Sequence, residues 1–343
     1  MGSDLSERNK FILEAIIEDY IATAEPVGSR AVTRRHGLDL SPATVRNVMS
    51  DLEEMGFLNS PHTSAGRIPT EKAYRLYVDS ILDLRRMNKI ERDRIRKRYS
   101  LAGRDTSEVL RETSRMLSSV CHYAGIVLAP RFTANLFRHI EFVKLGTSRI
   151  LAILVTQNGQ VQNRIIEAGE DMSAADLQSM SNYLNDLLRD LPISQVKTRI
   201  LEEMRSEKVL FDGLMTKALQ LSEQTLDRDI AEVFIEGQTN ILEQPEFADM
   251  TKMREVFRTF EEKSQLLMLL ENCMKADGVQ IFIGSETHLG RVTEMSIVTS
   301  TYKTGKNTLG VLGVIGPTRM GYGKVIPIVD YTAKLVSKLL EDE

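Results

Sequence analysis

The chain has 343 residues, 42% apolar and 27% charged, an ordinary globular mix that excludes a disordered or collagen-like chain and gives a prior of two or three domains. With 44 Lys+Arg against 48 Asp+Glu the net charge is −4, which excludes a uniformly basic surface, so any nucleic-acid surface has to be local. Two cysteines, Cys121 and Cys273, cannot make a disulfide framework or a four-cysteine zinc site, and point to a reducing, cytoplasmic location. No run approaches the ~18 apolar residues of a membrane helix, and residues 1–9 lack the apolar core of a secretion signal, so no membrane partner is expected.

In chain order, Leu13, Ile16, Ile17 and Tyr20 recur at helical spacing, and Glu25-Pro26 closes this first helix. Ser29 is expected to cap a short second helix over 30–36, stopped by Gly37. Ser41 caps a third over 42–55, with Pro42 at its first position and Gly56 at its end. Residues 57–59 and 67–68 are expected to pair as a small hairpin around 61–66. Thr70 then caps a long helix bearing Tyr74, Tyr77, Val78, Ile81 and Leu82. Residues 85–98 carry eight basic side chains against two acidic ones, and the break at 102–106 sets a boundary near residue 104.

Beyond it, a helix over 106–120 feeds strand-like runs at 123–128, 139–145, 150–156 and 161–167. Asn158-Gly159, a strong hairpin dipeptide, joins the last two. A helix over 173–191 follows. Strand patterns return at 279–283, 292–299 and 308–315, before a final helix over 323–340. The stretch 192–276 reads as largely helical. The pattern predicts an α+β chain with three parts. Residues 1–104 form a mostly helical N-terminal domain with a linker helix, 105–192 and 277–343 form an α/β domain, and 193–276 is a mostly helical insertion.

The third helix carries the chemistry. Val45, Val48, Met49, Leu52 and Met55 share one face, which has to pack inward. The opposite face shows Ala43, Arg46, Asn47 and Ser50, with Thr44 beside them. Arg and Asn grip base edges bidentately, and the major groove admits one helix. A helix of this length entered by a tight turn from a short helix has the proportions of a recognition helix. Taken alone, the same face reads equally well as a solvated helix surface. The following turn, Ser60-Pro61-His62-Thr63-Ser64-Ala65-Gly66-Arg67, lies where a winged helix carries its wing. Its small residues let backbone amides approach phosphates, and Arg67 is placed to reach a phosphate or the minor groove. The candidate DNA-binding residues are Ser41, Ala43, Thr44, Arg46, Asn47, Ser50, His62, Ser64 and Arg67.

Three motifs make the assignment specific: Glu25-Pro26-Val27-Gly28-Ser29, Ser41-Pro42-Ala43-Thr44-Val45-Arg46-Asn47-Val48-Met49, and His62-Thr63-Ser64-Ala65-Gly66-Arg67-Ile68-Pro69-Thr70. With Tyr74-Arg75-Leu76-Tyr77-Val78-Asp79 and, far downstream, Gly316-Pro317-Thr318-Arg319-Met320-Gly321-Tyr322, the chain resembles the bacterial heat-inducible transcription repressor HrcA family. The resemblance covers essentially the whole chain. It implies a winged helix, a GAF-like domain and an inserted dimerisation domain. It also implies a dimeric repressor of chaperone operons that binds an inverted repeat, loses activity on heating and depends on the GroEL-type chaperonin. It implies no enzymatic activity and no cofactor.

Other features carry less. The basic run 85–98 reads first as a solvated linker face and second as a phosphate contact. The glycines of 310–323 fail the phosphate-loop spacing and are expected in turns. Cys121-His122 are adjacent and diverge, while His36, His139 and His288 stand alone, so no metal site is expected. Arg131, Arg138, Arg149 and Arg319 are candidates to neutralise an anionic effector in the GAF-like half. The alternative function is therefore a metabolite-responsive winged-helix regulator.

Overall fold

The computed structural model describes residues 5–37, 40–61, 66–82, 87–99, 106–130, 136–157, 161–169, 171–204, 213–226, 233–261, 263–289, 293–305 and 307–341. Ser6 caps α1 (Glu7–Thr23) by accepting from the Asn9 amide, and Ala24 ends it in the left-handed conformation. α2 (Ser29–Arg35) begins one residue earlier than expected: extended Gly28 is its N-cap, so Ser29 is the first helical residue and not the cap. The cause is tertiary. Val27 is drawn into β pairing with Arg67, so the turn into the helix falls on Gly28.

α3 (Pro42–Glu54) has Pro42 in its first turn, and Ser41 accepts from the Thr44 amide at 3.1 Å. Val45, Val48, Met49 and Leu52 are buried, where the helix packs on α1 and α2. β1 (Leu58–Asn59) pairs antiparallel with β2 (Ile68–Pro69), Leu58 opposite Pro69. Thr70 caps α4 (Glu71–Leu76), and the expected long helix instead widens into a π-helical turn, Tyr77–Ile81. The Leu82 amide reaches the Tyr77 carbonyl five residues back, and Tyr77 is buried in that wider turn. α5 (Lys89–Tyr99) anchors itself by Ile95 and by Tyr99, whose hydroxyl bonds Thr113 Oγ1 at 2.8 Å.

α6 (Thr106–Cys121) leads into β3 (Ala124–Leu128). The chain then enters a separate compact unit, Pro130–Glu232. There β4 (Phe137–Lys144), β5 (Arg149–Thr156) and β6 (Val161–Glu167) form an antiparallel sheet in the order 4-5-6. Among the described residues, α7 (Ala174–Leu187), α8 (Ile193–Met204) and α9 (Gly213–Leu226) also belong to the unit, with Ser173 and Asp176 forming a capping box. Its core is local, with Phe137, Ile140, Leu154, Leu177, Met180 and Leu184 in one cluster.

The chain returns through β7 (Val233–Glu236), α10 (Thr239–Leu242), α11 (Met250–Glu261), α12 (Lys263–Cys273), β8 (Val279–Ile283), β9 (Met295–Thr304), β10 (Asn307–Pro317) and α13 (Tyr322–Glu341). The five-stranded antiparallel sheet runs 7-3-10-9-8. Val298, Leu312 and Val314 join the cluster made with α6 and α13. The alternate set, Ile297, Val311 and Ile315, is equally buried, and α12 meets β9 and β10. This is the expected α/β domain with helices on its sheet.

Three expectations are corrected here. The insertion spans 130–232 and not 193–276, and residues 137–167 belong to it, not to the interrupted sheet. Alternation marks a strand but not its sheet. β4, β5 and β6 satisfy one another, whereas both partners of β3 lie beyond the insertion. The stretch read as helical contains the edge strand β7. Gly310, Gly313 and Gly316 lie inside β10 and not in turns, because neighbouring atoms fill the space of a side chain; a Cβ on Gly313 would sit 2.2 Å from the Val298 carbonyl oxygen. No helix among the described residues is long and apolar enough to cross a membrane.

Candidate nucleic-acid interface

Burying Val45, Val48, Met49 and Leu52 forces the other side of α3 outward. Ser41, Ala43, Arg46, Asn47 and Ser50 are exposed there, with Thr44 half-buried near the N-terminal end. Arg46 makes no ion pair with any described residue, which leaves its five donors free for an acceptor outside the protein. Ser41 differs. Its hydroxyl accepts from the Thr44 amide and lies 2.9 Å from Thr44 Oγ1, so it serves the cap before any phosphate.

The hairpin is built onto the recognition helix. Arg67 donates from Nη1 to Ser60 Oγ at 3.2 Å and pairs from Nη2 with Glu53 Oε2 at 2.8 Å. Arg67 and Val27 exchange both backbone hydrogen bonds, at 2.8 and 2.9 Å, which adds a third short strand to the hairpin. Gly66 beside it has no room for a side chain, since a Cβ would lie 2.5 Å from the Val27 carbonyl carbon and oxygen. Thr70 donates to the Gly56 carbonyl, and Lys72 donates to the Met55 carbonyl at 2.7 Å with its ammonium 4.4 Å from the centre of the Phe57 ring. His62 and Ser64, expected at the wing tip, lie outside the described residues.

Sequence reasoning missed Val27, Glu53 and Lys72 as wing supports. None has a local pattern that betrays its partner; Val27 and Arg67 meet across forty residues of chain. α2 is tied to α1 by the buried Asp19, which lies 3.2 Å from Arg35 and 3.4 Å from His36. This leaves Arg30 and Arg34 exposed as further cations of the module.

The effector arginines do not form a constellation. Arg138 and Arg149 stand exposed on β4 and β5, Arg319 is bonded within the protein, and Arg131 lies outside the described residues. Cys121 is buried at the end of α6, and burial pushes its thiol up to about 12.

A helix-turn-helix with its second helix open to solvent, followed by a hairpin braced on that helix, defines a winged-helix DNA-binding protein. Residues 4–80 match the model of the winged helix-turn-helix transcription repressor HrcA DNA-binding domain, and residues 107–326 match that of the HrcA protein C-terminal domain. The chain is 73% identical to the heat-inducible transcription repressor HrcA of Geobacter sulfurreducens over 341 residues, covering 99% of this chain and 100% of that one. It is 48% identical to the protein of the same name from Syntrophobacter fumaroxidans, over 99% of each. The chain belongs to the HrcA family of heat-inducible transcription repressors. Among solved structures, the crystal structure of a hypothetical protein superposes with a TM-score of 0.66 at 21% identity, over 99% of both chains, which shows a shared fold.

Proposed function

We propose that this protein is a cytoplasmic repressor that binds an inverted-repeat operator of chaperone genes as a homodimer, is inactivated by heat, and has its active pool set by a GroEL-type chaperonin. The observation that carries the reading is the outward face of α3: Arg46 and Asn47 stand exposed and Arg46 has no ion pair among the described residues, on a helix whose other face is fully packed. Arg46, Asn47, Thr44 and Ser50 read base edges in the major groove. Ala43 lets the helix approach closely, amides at the Ser41 end take a phosphate, and His62, Ser64 and Arg67 shape the wing.

An inverted repeat needs two copies whose recognition helices lie about one DNA turn (~34 Å) or a multiple of it apart. Support for self-association comes from the inserted unit. The face of its sheet turned away from its core carries Val143, Val161 and Ile165, at 37%, 60% and 57% exposure, around half-buried Leu151, Ile153 and Val155, with His139, Glu141 and Asn163 interspersed and the Arg149–Glu167 pair at one end. The apolar patch at the centre of this face is costly in water and is covered by the second copy.

Topology supports the chaperonin reading. β3 pairs with β10, Leu128 opposite Val311, so the central sheet closes only after a separate unit between them has been bridged. Such long-range pairing is slow and leaves apolar strands open meanwhile. Electrophoretic shifts on operator and scrambled duplexes, run across salt and temperature, test the reading. Selective binding that disappears on warming is the expected result, and equal binding to both duplexes overturns it.

A further inference from the structure

The motif Gly316-Pro317-Thr318-Arg319-Met320-Gly321-Tyr322 takes no part in the DNA-facing surface. Arg319 instead turns into the protein, with 12% of its side chain exposed. It donates from Nη1 to the Ile21 carbonyl at 3.1 Å, donates from Nη2 to Gln244 Oε1 at 3.0 Å, and pairs through Nε with Glu246. Ile21 sits in the last turn of α1, where carbonyls lack intrahelical partners and the helix dipole is negative. A near-buried cation of the GAF-like domain thus caps the first helix of the winged helix.

A second contact of the same kind joins α4 to the turn after β8. Arg75 forks onto both oxygens of Glu286, at 3.0 Å from Nε to Oε1, and also donates to the Ile281 carbonyl at 2.7 Å. Glu286 is itself fixed by the Ile283 amide at 2.9 Å. One turn away Glu71 accepts from the Ser285 amide at 3.1 Å and from its hydroxyl. Gly284 allows this approach, because its φ is +57° and a Cβ there would meet Glu71 Oε1 at 2.1 Å. The Tyr74 and Tyr322 rings lie 6.2 Å apart, and one continuous apolar cluster runs from Ile12 and Leu52 to Leu312 and Val336.

Domains joined by a linker reorient unless an extensive apolar seam and well-formed polar pairs hold them. Both are present here, and bidentate arginine pairs are the directional kind. We infer that Arg319 and Arg75 are positioning residues for operator recognition: they lock the winged helix onto the GAF-like domain, so that this domain sets where α3 is held in each protomer. The inference rests on the dimeric, inverted-repeat reading above.

The test uses full-length protein, wild type against Arg319→Met and Arg75→Met. Duplexes carry either one half-site or two half-sites whose spacer is stepped one base pair at a time through half a turn. A fixed orientation makes the second half-site an intramolecular partner at one spacing, so the wild type is expected to prefer that spacing by about tenfold or more. The variants are expected to keep single half-site affinity and to flatten the spacing profile. A misfolded variant would lose half-site binding too; Ser285→Ala then serves instead, with a partial flattening expected. An unchanged spacing profile in variants that bind the half-site, or a wild type without any preference, overturns the inference. A wild type that binds no duplex overturns the repressor reading beneath it.

Discussion

Arg67 Nη2 lies 2.8 Å from Glu53 Oε2, so the cation that opens the second limb of the hairpin is braced on the last turn of the recognition helix. The pair is part-exposed, at 26% and 30%, and such pairs contribute at most about 1 kcal/mol to stability. Arg67→Ala should therefore melt close to wild type yet lose about 1–3 kcal/mol of operator affinity, because the wing loses its fixed angle. Fluorescence anisotropy across salt checks the cause. A brace leaves the slope of log affinity against log salt unchanged, whereas loss of a phosphate contact lowers it by about one.

Arg46→Ala and Asn47→Ala should each cost about 1–3 kcal/mol on operator and much less on random duplex, as expected for groups that read bases. Both side chains are exposed, so thermal stability should hardly change. Equal weakening on both duplexes would move these residues from reading sequence to gripping phosphate.

Gly66→Ala should be among the most damaging small substitutions in the first eighty residues. Its methyl group would lie 2.5 Å from backbone atoms of Val27, and backbone cannot swing aside. The Val27–Arg67 pairing has to open, with an expected loss of about 2 kcal/mol or more. Denaturant titration and loss of operator binding are the readouts.

Alkaline pH should loosen the fold, whereas neutral pH should not. Burial pushes Cys121 up to about 12, and burial, followed by Glu18 and Glu14, pushes Tyr77 up to about 12. Folded-state values above the unfolded ones mean that stability is fully present below the unfolded pKa and is lost as pH rises through this range. Stability should thus fall from about pH 9 upward, where an unfolded thiol ionises. In the native protein at pH 8, Cys121 should resist an alkylating reagent, then react as the protein is warmed through its transition. Rapid labelling of the cold native protein would contradict the burial.

Refolding from denaturant should be slow and incomplete without chaperonin, with recovery scored as operator binding. Adding a GroEL-type chaperonin should raise the yield. Full, fast recovery unaided would remove the basis for coupling repressor activity to chaperonin supply.

The recognition helix was legible because one pattern fixes both its faces. Pro42 and Ser41 mark its start, and the spacing of Val45, Val48, Met49 and Leu52 dictates which residues remain outside. The hairpin, too, could be placed from Gly66 and Pro61. What could not be read was any relation carried by non-local pairing. No local signal tells that Val27 meets Arg67, that β3 waits for β10 while β4 does not, or that Arg319 ends against Ile21 and Glu246 and so is not free for an effector. A stretch as short as Val233–Glu236 is a strand by virtue of the β3 edge it completes, and its own four residues do not distinguish it. The π-helical turn at Tyr77–Ile81 likewise shares its apolar spacing with an ordinary helix.

The pairing of Leu128 with Val311 has a consequence for how the protein is made. The ribosome delivers the DNA-reading helix well before the strand that completes its supporting domain. A nascent or prematurely terminated chain therefore carries α3 without the finished five-stranded sheet, and its half-made sheet is open to proteases. Translation has to pass β10 before a molecule with a complete supporting sheet exists.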